Sequence, residues 1–410
     1  MENKFNAVIG QSGGPTSAIN ATLAGVIKGC LDEKSIDKVY GMRNGVEGFL
    51  AEKLTDLEAY FENREALELL SLTPASALGS CRLKLTKDEQ FEKVFEVIEK
   101  YRIKYFFYIG GNDSMDAVAK LEKYKKEHPE ANPLCTHFVG VPKTIDNDLC
   151  GTDHTPGFGS AAKYIASSME EIARDCAVYL VKAVTIVEIM GRDAGWLTAS
   201  AALSKEITGI GADLIYLPEK PFDTDAFINK LTELLAKPDK SSVIVAVSEG
   251  IRDKDGNYVA KAAMSGVVDS FGHAYLAGTG KYLENLVRDR IGCKCRSVEL
   301  NVLQRCASHI SSKTDIDESL FIGEKAVEAA VSGKTGIMMA FVRKEGANYS
   351  VDAECLDISK AANLVKTVPD SYITEDGTGV TSACIDYILP LVQGECNVKY
   401  VNGLPLHFAF

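Results

Sequence analysis

Tyr105-Phe-Phe-Tyr-Ile-Gly-Gly-Asn-Asp-Ser114 reads as a buried strand running into a glycine turn. Residues 105–109 are an unbroken aromatic and β-branched run, the pattern of a strand covered on both faces. Paired glycines end it, and helix-forming sequence starts at Ser114. The same order of run, turn and helix recurs on either side. Residues 4–9 lead into Gln11-Ser-Gly-Gly-Pro15, and Ile19, Leu23, Val26, Ile27 and Cys30 then recur at helical spacing. Residues 137–141 lead into Pro142-Lys-Thr-Ile-Asp-Asn-Asp148 and a helix over 160–173. Residues 183–189 lead into Met190-Gly-Arg192 and a helix over 194–205, and residues 243–247 lead into Ser248-Glu-Gly250. Thr86-x-x-Glu89 is a capping-box pattern ahead of Phe91, Val94, Phe95 and Ile98. Alternation of this kind predicts parallel sheets with helices on both faces. The expected fold is α/β, with two doubly wound Rossmann-like lobes of mostly parallel sheets and the active site in the cleft between them. Residues 1–158 would form the first lobe, completed by 306–365. Residues 159–305 would form the second, completed by the segment to 410. Beyond Gly336 the pattern turns hairpin-like around Glu345-Gly-Ala-Asn348.

Composition narrows the function. The 410 residues allow two to four domains. With 45 basic and 57 acidic side chains the formal charge is −12. An acidic chain is a poor general binder of nucleic acid or anionic membrane, so neither is an expected partner. No apolar run reaches the roughly 18 residues needed to span a bilayer, and the first ten residues are too polar for a signal peptide. The 11 scattered cysteines are an odd number, which fits cytoplasmic free thiols better than a disulfide framework. Cys293, Cys295 and Cys306 lack a CxxC pair and read as ordinary thiols.

The polar clusters all follow strands, and ligands of open α/β sheets bind beyond the strands' carboxyl ends. Five clusters at that edge argue for one shared cleft. Gly13-Gly14 and Gly110-Gly111 let backbone amides approach an oxyanion at a helix start. Neither is a Walker A loop or a GxGxxG fingerprint, and either would also serve as a bare turn. Asp146 and Asp148 stand two apart after a strand. Such a pair can divide work, one carboxylate taking a proton from a hydroxyl and the other orienting substrate or metal. The same residues would also make a solvated Asx-rich turn. Arg192 and Arg82 beside glycine turns, with Arg296 and Arg305 flanking a strand, suit a phosphorylated ligand; singly, each suits a surface ion pair. His154 reads as a turn histidine and Trp196 as a packing residue.

Together, Ser12-Gly-Gly-Pro15, Gly110-Gly-Asn-Asp-Ser114, the Pro142–Thr155 stretch, Gly157-Phe158, Met190-Gly-Arg-Asp-Ala-Gly-Trp196, Glu249-Gly250 and Leu303-Gln-Arg305 resemble the phosphofructokinase family. The resemblance keeps the family's order over roughly residues 8–310. It implies phosphoryl transfer to the 1-hydroxyl of fructose 6-phosphate, a step of glycolysis, by a homodimer or homotetramer. By matching position, Asp146 would be the general base, with Thr144, Ile145 and Asp148 beside it. Met190, Gly191, Arg192 and Glu249 would line the sugar-phosphate site, and Arg296 and Arg305 would grip the 6-phosphate. Gly13, Gly14, Gly111, Asp113, Ser114 and Lys143 would hold the donor, Arg82 would touch the transferring group, and Mg²⁺ would bridge donor oxygens. Asn112 stands where relatives usually carry an acidic residue and is the candidate metal ligand.

Within the family the chain resembles the pyrophosphate-dependent type, which has an acidic residue and a lysine where ATP users have glycines, here Asp113 and Lys143. A carboxylate there occupies and repels the site of a nucleotide α-phosphate, and the lysine neutralises a small leaving group. Pyrophosphate is therefore the expected donor, in a reversible reaction. The alternatives are an ATP-dependent phosphofructokinase and a non-catalytic sugar-phosphate-binding regulatory subunit. Arg43 stands where ATP users often place an aromatic near adenine. Ala183 falls where many relatives carry a cross-subunit arginine for the 6-phosphate, with Lys182 as the expected substitute. Val302 stands at the usual His or Tyr position.

Overall fold

The structure, a computed structural model, describes residues 4–410 except 62, 261–277, 347 and 363. Two sheets organise it. The larger holds β1 (Phe5–Gln11), β2 (Ile36–Met42), β3 (Leu54–Asp56), β4 (Ile103–Gly110) and β5 (His137–Pro142). The smaller holds β6 (Ala183–Ile189), β7 (Leu214–Tyr216), β8 (Ser242–Ser248) and β9 (Lys294–Glu299). The chain then returns to the larger sheet with β10 (Ile337–Arg343) and β11 (Val351–Asp357). Strand orders are β11-β10-β5-β4-β1-β2-β3 and β7-β8-β6-β9. The smaller sheet is parallel throughout. In the larger one only the edge pairs β2–β3 and β10–β11 are antiparallel, and the latter is the hairpin-like stretch seen in the sequence.

The period-2 alternation of side chains explains why both faces of each sheet are covered. Along β4, Tyr105, Phe107 and Ile109 join Ile9, Val139 and Met339 in one core, while Phe106 and Tyr108 join Val8, Phe138 and Met338 in another. The smaller sheet divides likewise, with Val187 and Ile189 on one side and Val184 and Ile186 on the other. Helix Ile19–Asp32 lies against helix Lys313–Val331 on the first face. Their approach needs glycine, since a Cβ on Gly25 would stand 2.1 Å from the Leu320 carbonyl oxygen.

Several local expectations shift. The helix after Thr86 is Asp88–Lys100, capped by the Gln90 side chain, which accepts from the Thr86 and Lys87 amides; Glu89 takes no part. The expected helix over 194–205 is two short ones, Trp196–Ala199 and Ala202–Thr208. Ser200 Oγ donates to the Leu197 carbonyl at their junction, the hydroxyl competing with the helical ladder. In the last segment, Val368, Ile373, Cys384, Ile388 and Leu391 pack onto the smaller sheet's core. Phe408 and Phe410 instead pack against the larger sheet's layer, Phe408 stacked 5.1 Å from Phe61. That return was not foreseen in the sequence.

Candidate active site

The carboxyl ends of β1, β4 and β5 face those of β6 and β8 across a cleft of about 530 Å³. Every expected site residue except Arg296 lines it. Gly13, Gly14, Arg82, Gly111, Asn112, Asp113 and Ser114 form one wall. Met190, Gly191, Arg192 and Glu249 form the other, Lys143, Thr144, Ile145, Asp146 and Asp148 run between them, and Arg305 reaches in beside Gly14.

On the first wall, Gly13 has φ +78°, a left-handed turn that a side chain would strain. Beside it, Lys143 Nζ donates to the Gly14 carbonyl at 2.6 Å. Lys143 is 2% exposed. Burial pulls its ammonium down to about 8, against the nearby Asp146 charge that holds it up. The turn after β4 starts helix Asn112–Glu127 at Gly111. There Asn112 Nδ2 donates to Asp148 Oδ2 at 3.3 Å. Its Oδ1 is buried and has no hydrogen-bond partner among the described residues.

The central loop is folded by its own short polar side chains. Asp146 N donates to Thr144 Oγ1 at 3.1 Å, and Thr155 Oγ1 ties the Thr144 carbonyl at 2.8 Å. Burial pushes Asp146 above the usual carboxylate range, opposed by Lys143, Thr144, Arg192 and Arg305. Burial and then the Asp146 charge push Asp148 up to about 7. These are the directions expected when two carboxylates share a desolvated site.

On the second wall the backbone after β6 is held on both sides. Met190 N donates to Gln304 Oε1 and Gly191 N to Glu249 Oε1, each at 3.3 Å. Gln304 precedes Arg305 in the short helix Leu303–Cys306, and the Arg305 guanidinium reaches Gly14, where an added Cβ would stand 3.2 Å from its Nη1. Gly250 is required because a Cβ there would lie 1.9 Å from the Arg192 carbonyl oxygen. Burial, then Asp146, pushes Glu249 up to about 7.

Four of the residues weighed in the sequence lie outside the cleft lining. Arg296 is exposed, 3.8 Å from Asp175, and does not reach this cleft. Its neighbour Cys295 is buried in one core, so alternation puts Arg296 on the opposite face, at the exposed start of the edge strand β9. Lys182 donates to carbonyls of Lys237 and Lys240 in its own chain. Arg43 lies over the Phe410 ring at 5.4 Å, outside the cleft lining. His154 sits in a turn, as read, and there it bridges Asp153 (2.9 Å) and Glu318 (2.8 Å) and stacks on Phe341. Trp196 is buried packing, as read. The sequence reading did not assign Pro15, Thr16, Asp193 or Ala194 to the site, although they adjoin its motifs, and it missed two groups outside those motifs. Lys84 lines the cleft and pairs with Asp113 at 3.0 Å. Val365, from the last segment, lines it too.

Glycine turns facing arginines across buried carboxylates define a protein that handles phosphoryl groups. The family described as Phosphofructokinase matches residues 6–330, and the chain belongs to that family. It is 40% identical, over 98% of this chain and 95% of the relative, to a pyrophosphate–fructose 6-phosphate 1-phosphotransferase of Halomonas elongata. An enzyme of the same name from Xanthomonas campestris is also 40% identical, over 98% of this chain and 94% of its own. The crystal structure of the pyrophosphate-dependent phosphofructokinase of Nitrosospira multiformis superposes with a TM-score of 0.87 at 36% identity, covering 98% of this chain and 95% of that one.

Proposed function

We propose that the chain transfers a phosphoryl group from pyrophosphate to the 1-hydroxyl of fructose 6-phosphate, giving fructose 1,6-bisphosphate and phosphate. One observation carries this reading: Asp146 shares a single cleft with Lys143 and Asp113 beside the glycine turns and with the arginines Arg192 and Arg305. Asp146 accepts the O1 proton as O1 bonds to phosphorus and the bridging P–O bond breaks. A base with a raised pKa suits this transfer near neutral pH. Lys143 neutralises the departing phosphate. Arg82 and the amides at Gly14 and Gly111 stabilise the equatorial oxygens, so catalysis is mostly positioning and charge stabilisation. The anhydride bond of pyrophosphate is exchanged for a phosphate ester with release of phosphate, a modest enough change in energy that the reaction should run both ways.

Mg²⁺ is the proposed cofactor. The orphaned Asn112 Oδ1 beside Asp148 fits such an ion. No cluster of three His, Cys, Asp or Glu side chains suited to a metal occurs among the described residues. That matches an ion bound through one or two protein oxygens, substrate phosphates and water. Asn112 and Asp148 would hold it, and it would supply charge neutralisation of the donor oxygens.

The proposed assembly is a homodimer or homotetramer. Val178, Tyr179, Leu180 and Val181 are consecutive and exposed, Leu180 by 96%, at the entry to β6. A contiguous apolar surface of this sort favours a partner. Leu180→Glu should raise the dissociation constant, read by sedimentation across a wide dilution series. An unchanged assembly would overturn this surface. Eleven unpaired cysteines suit a cytoplasmic enzyme, and no helix among the described residues is long and apolar enough to cross a membrane.

The deciding assay is fructose 1,6-bisphosphate formation from fructose 6-phosphate and Mg²⁺ with either pyrophosphate or ATP. Turnover with pyrophosphate supports the reading, and a preference for ATP overturns the donor.

A further inference from the structure

We propose that Lys366 is a positioning residue that clamps the central catalytic loop to the Arg192-bearing loop of the second wall. It lies in neither glycine turn and outside the cleft lining. Its ammonium reaches the back of the loop that carries Asp146 and Asp148. It donates to Asn147 Oδ1 (3.2 Å), the Thr152 carbonyl (3.2 Å) and the Asp153 carbonyl (2.8 Å). Three acceptors satisfy all three donors of an ammonium. The Lys366 amide also donates to the Asp148 carbonyl at 2.7 Å.

Asn147 is the residue this clamp acts through. It is fully buried and holds φ +54°, a left-handed conformation that non-glycine residues seldom adopt. Its turn sends the flanking aspartates into the cleft and its own side chain away. That side chain is fixed at both ends, Oδ1 by Lys366 and Nδ2 by the Tyr387 hydroxyl at 2.9 Å.

The same residue grips the second wall. The Lys366 carbonyl accepts from Trp196 Nε1 at 2.9 Å, and its ammonium stands 5.3 Å from the Trp196 ring centroid. Trp196 starts the short helix just after Arg192. Glu219 Oε1 strengthens the joint by accepting from both Gly195 N (2.8 Å) and Val368 N (2.9 Å). One lysine thus sets where Asp146 sits relative to Arg192. The inference rests on the proposed reaction only in taking those two groups as base and phosphate ligand.

The test is Lys366→Met, which keeps the stem and deletes the ammonium, assayed beside the wild type. A misplacement of about 1 Å can cost on the order of 10²-fold in rate. We expect kcat to fall more than about tenfold, with the dissociation constants of fructose 6-phosphate and pyrophosphate held within about threefold, the mark of a group acting on the transition state alone. Trp196 is the only tryptophan, so its emission reports the joint directly. A fructose 6-phosphate-dependent emission change in the wild type should be lost in the variant. Asn147→Gly tests the same clamp if the methionine variant does not fold, because glycine keeps the left-handed turn and deletes the anchored side chain. Its kcat should fall by the same criterion. A loss below about tenfold in the folded variant, or a loss matched by weakened binding, would overturn the proposal. A failure of the proposed reaction would show in the wild type itself, whereas a failure of this clamp shows only in the variants.

Discussion

Replacing Asp113 with glycine should admit nucleotides to the donor wall by a route that involves Lys84. A carboxylate about 4 Å from a phosphate costs roughly 4 kcal/mol at an effective dielectric of 20. Taken alone, that would make Asp113 a strong barrier to ATP. But Lys84 Nζ lies 3.0 Å from Asp113 Oδ1, and opposite charges so close largely cancel at a third group. Both side chains are about a third exposed, 38% and 31%, so water screens them further. The pair itself adds only about 0–1 kcal/mol to folding. Asp113→Gly therefore does two things: it clears volume, and it removes the carboxylate that offsets the Lys84 charge at the donor.

After discounting for exposure, that cation should attract the extra phosphate of a nucleotide by about 1–2 kcal/mol, roughly tenfold in affinity. The expected kcat/KM for ATP rises about tenfold in Asp113→Gly, and the gain disappears when Lys84→Met is added. Lys84→Met alone bares the Asp113 charge and should weaken both donors. Pyrophosphate turnover should fall less in Asp113→Gly than in Lys143→Gly, because Lys143 faces the leaving group. The double change at 113 and 143 should shift the donor ratio furthest. The assay is kcat/KM for both donors across wild type and these variants. A wild type that prefers ATP would refute the donor argument. An ATP gain in Asp113→Gly that persists without Lys84 would refute the charge-pair reasoning.

Asp146→Asn should cut single-turnover rates with saturating pyrophosphate by roughly 10²–10⁴-fold, the usual contribution of a positioned base; a loss below about tenfold would move the base elsewhere. Arg192→Ala and Arg305→Ala should each weaken fructose 6-phosphate binding by on the order of 1.5–3 kcal/mol in calorimetric titrations, and unchanged affinity in both would remove them from the sugar-phosphate site. His154 carries a pH dependence of stability. Burial lowers its pKa, but the bonds from Asp153 and Glu318 outweigh that and raise it above the ordinary 6.5. A raised folded-state value means the stabilisation is complete below about 6.5 and is lost as pH rises through the folded value. Thermal midpoints should therefore decline from pH 6 towards 9 in the wild type and decline less in His154→Gln; equal slopes would show that His154 stays neutral.

What the sequence made legible was set by neighbours along the chain. A strand feeding a glycine turn is a local event, so β6 fell at 183–189 as expected and each turn took its place at a strand end. The Thr-Ile-Asp-Asn-Asp loop was readable for the same reason, since Thr144 shapes it from two residues away. Partners fixed by tertiary folding left no such trace. Lys366 and Tyr387 meet Asn147 across 219 and 240 residues. Lys84 meets Asp113 only once β4 has placed the glycine turn beside it. His154 showed only its turn because Glu318, 164 residues on, supplies half of its charge environment. Arg296 failed for a different reason. Its motif match gave position along the strand but not the face, and the face was decided by Cys295, whose burial in the core of the smaller sheet commits every second residue of β9 to the other side. An arginine exposed at the start of that edge strand can meet a phosphate only if another surface comes to it, which makes the exposed run at 178–181, on the adjoining turn into β6, the place where a second copy of the chain would have to be sought.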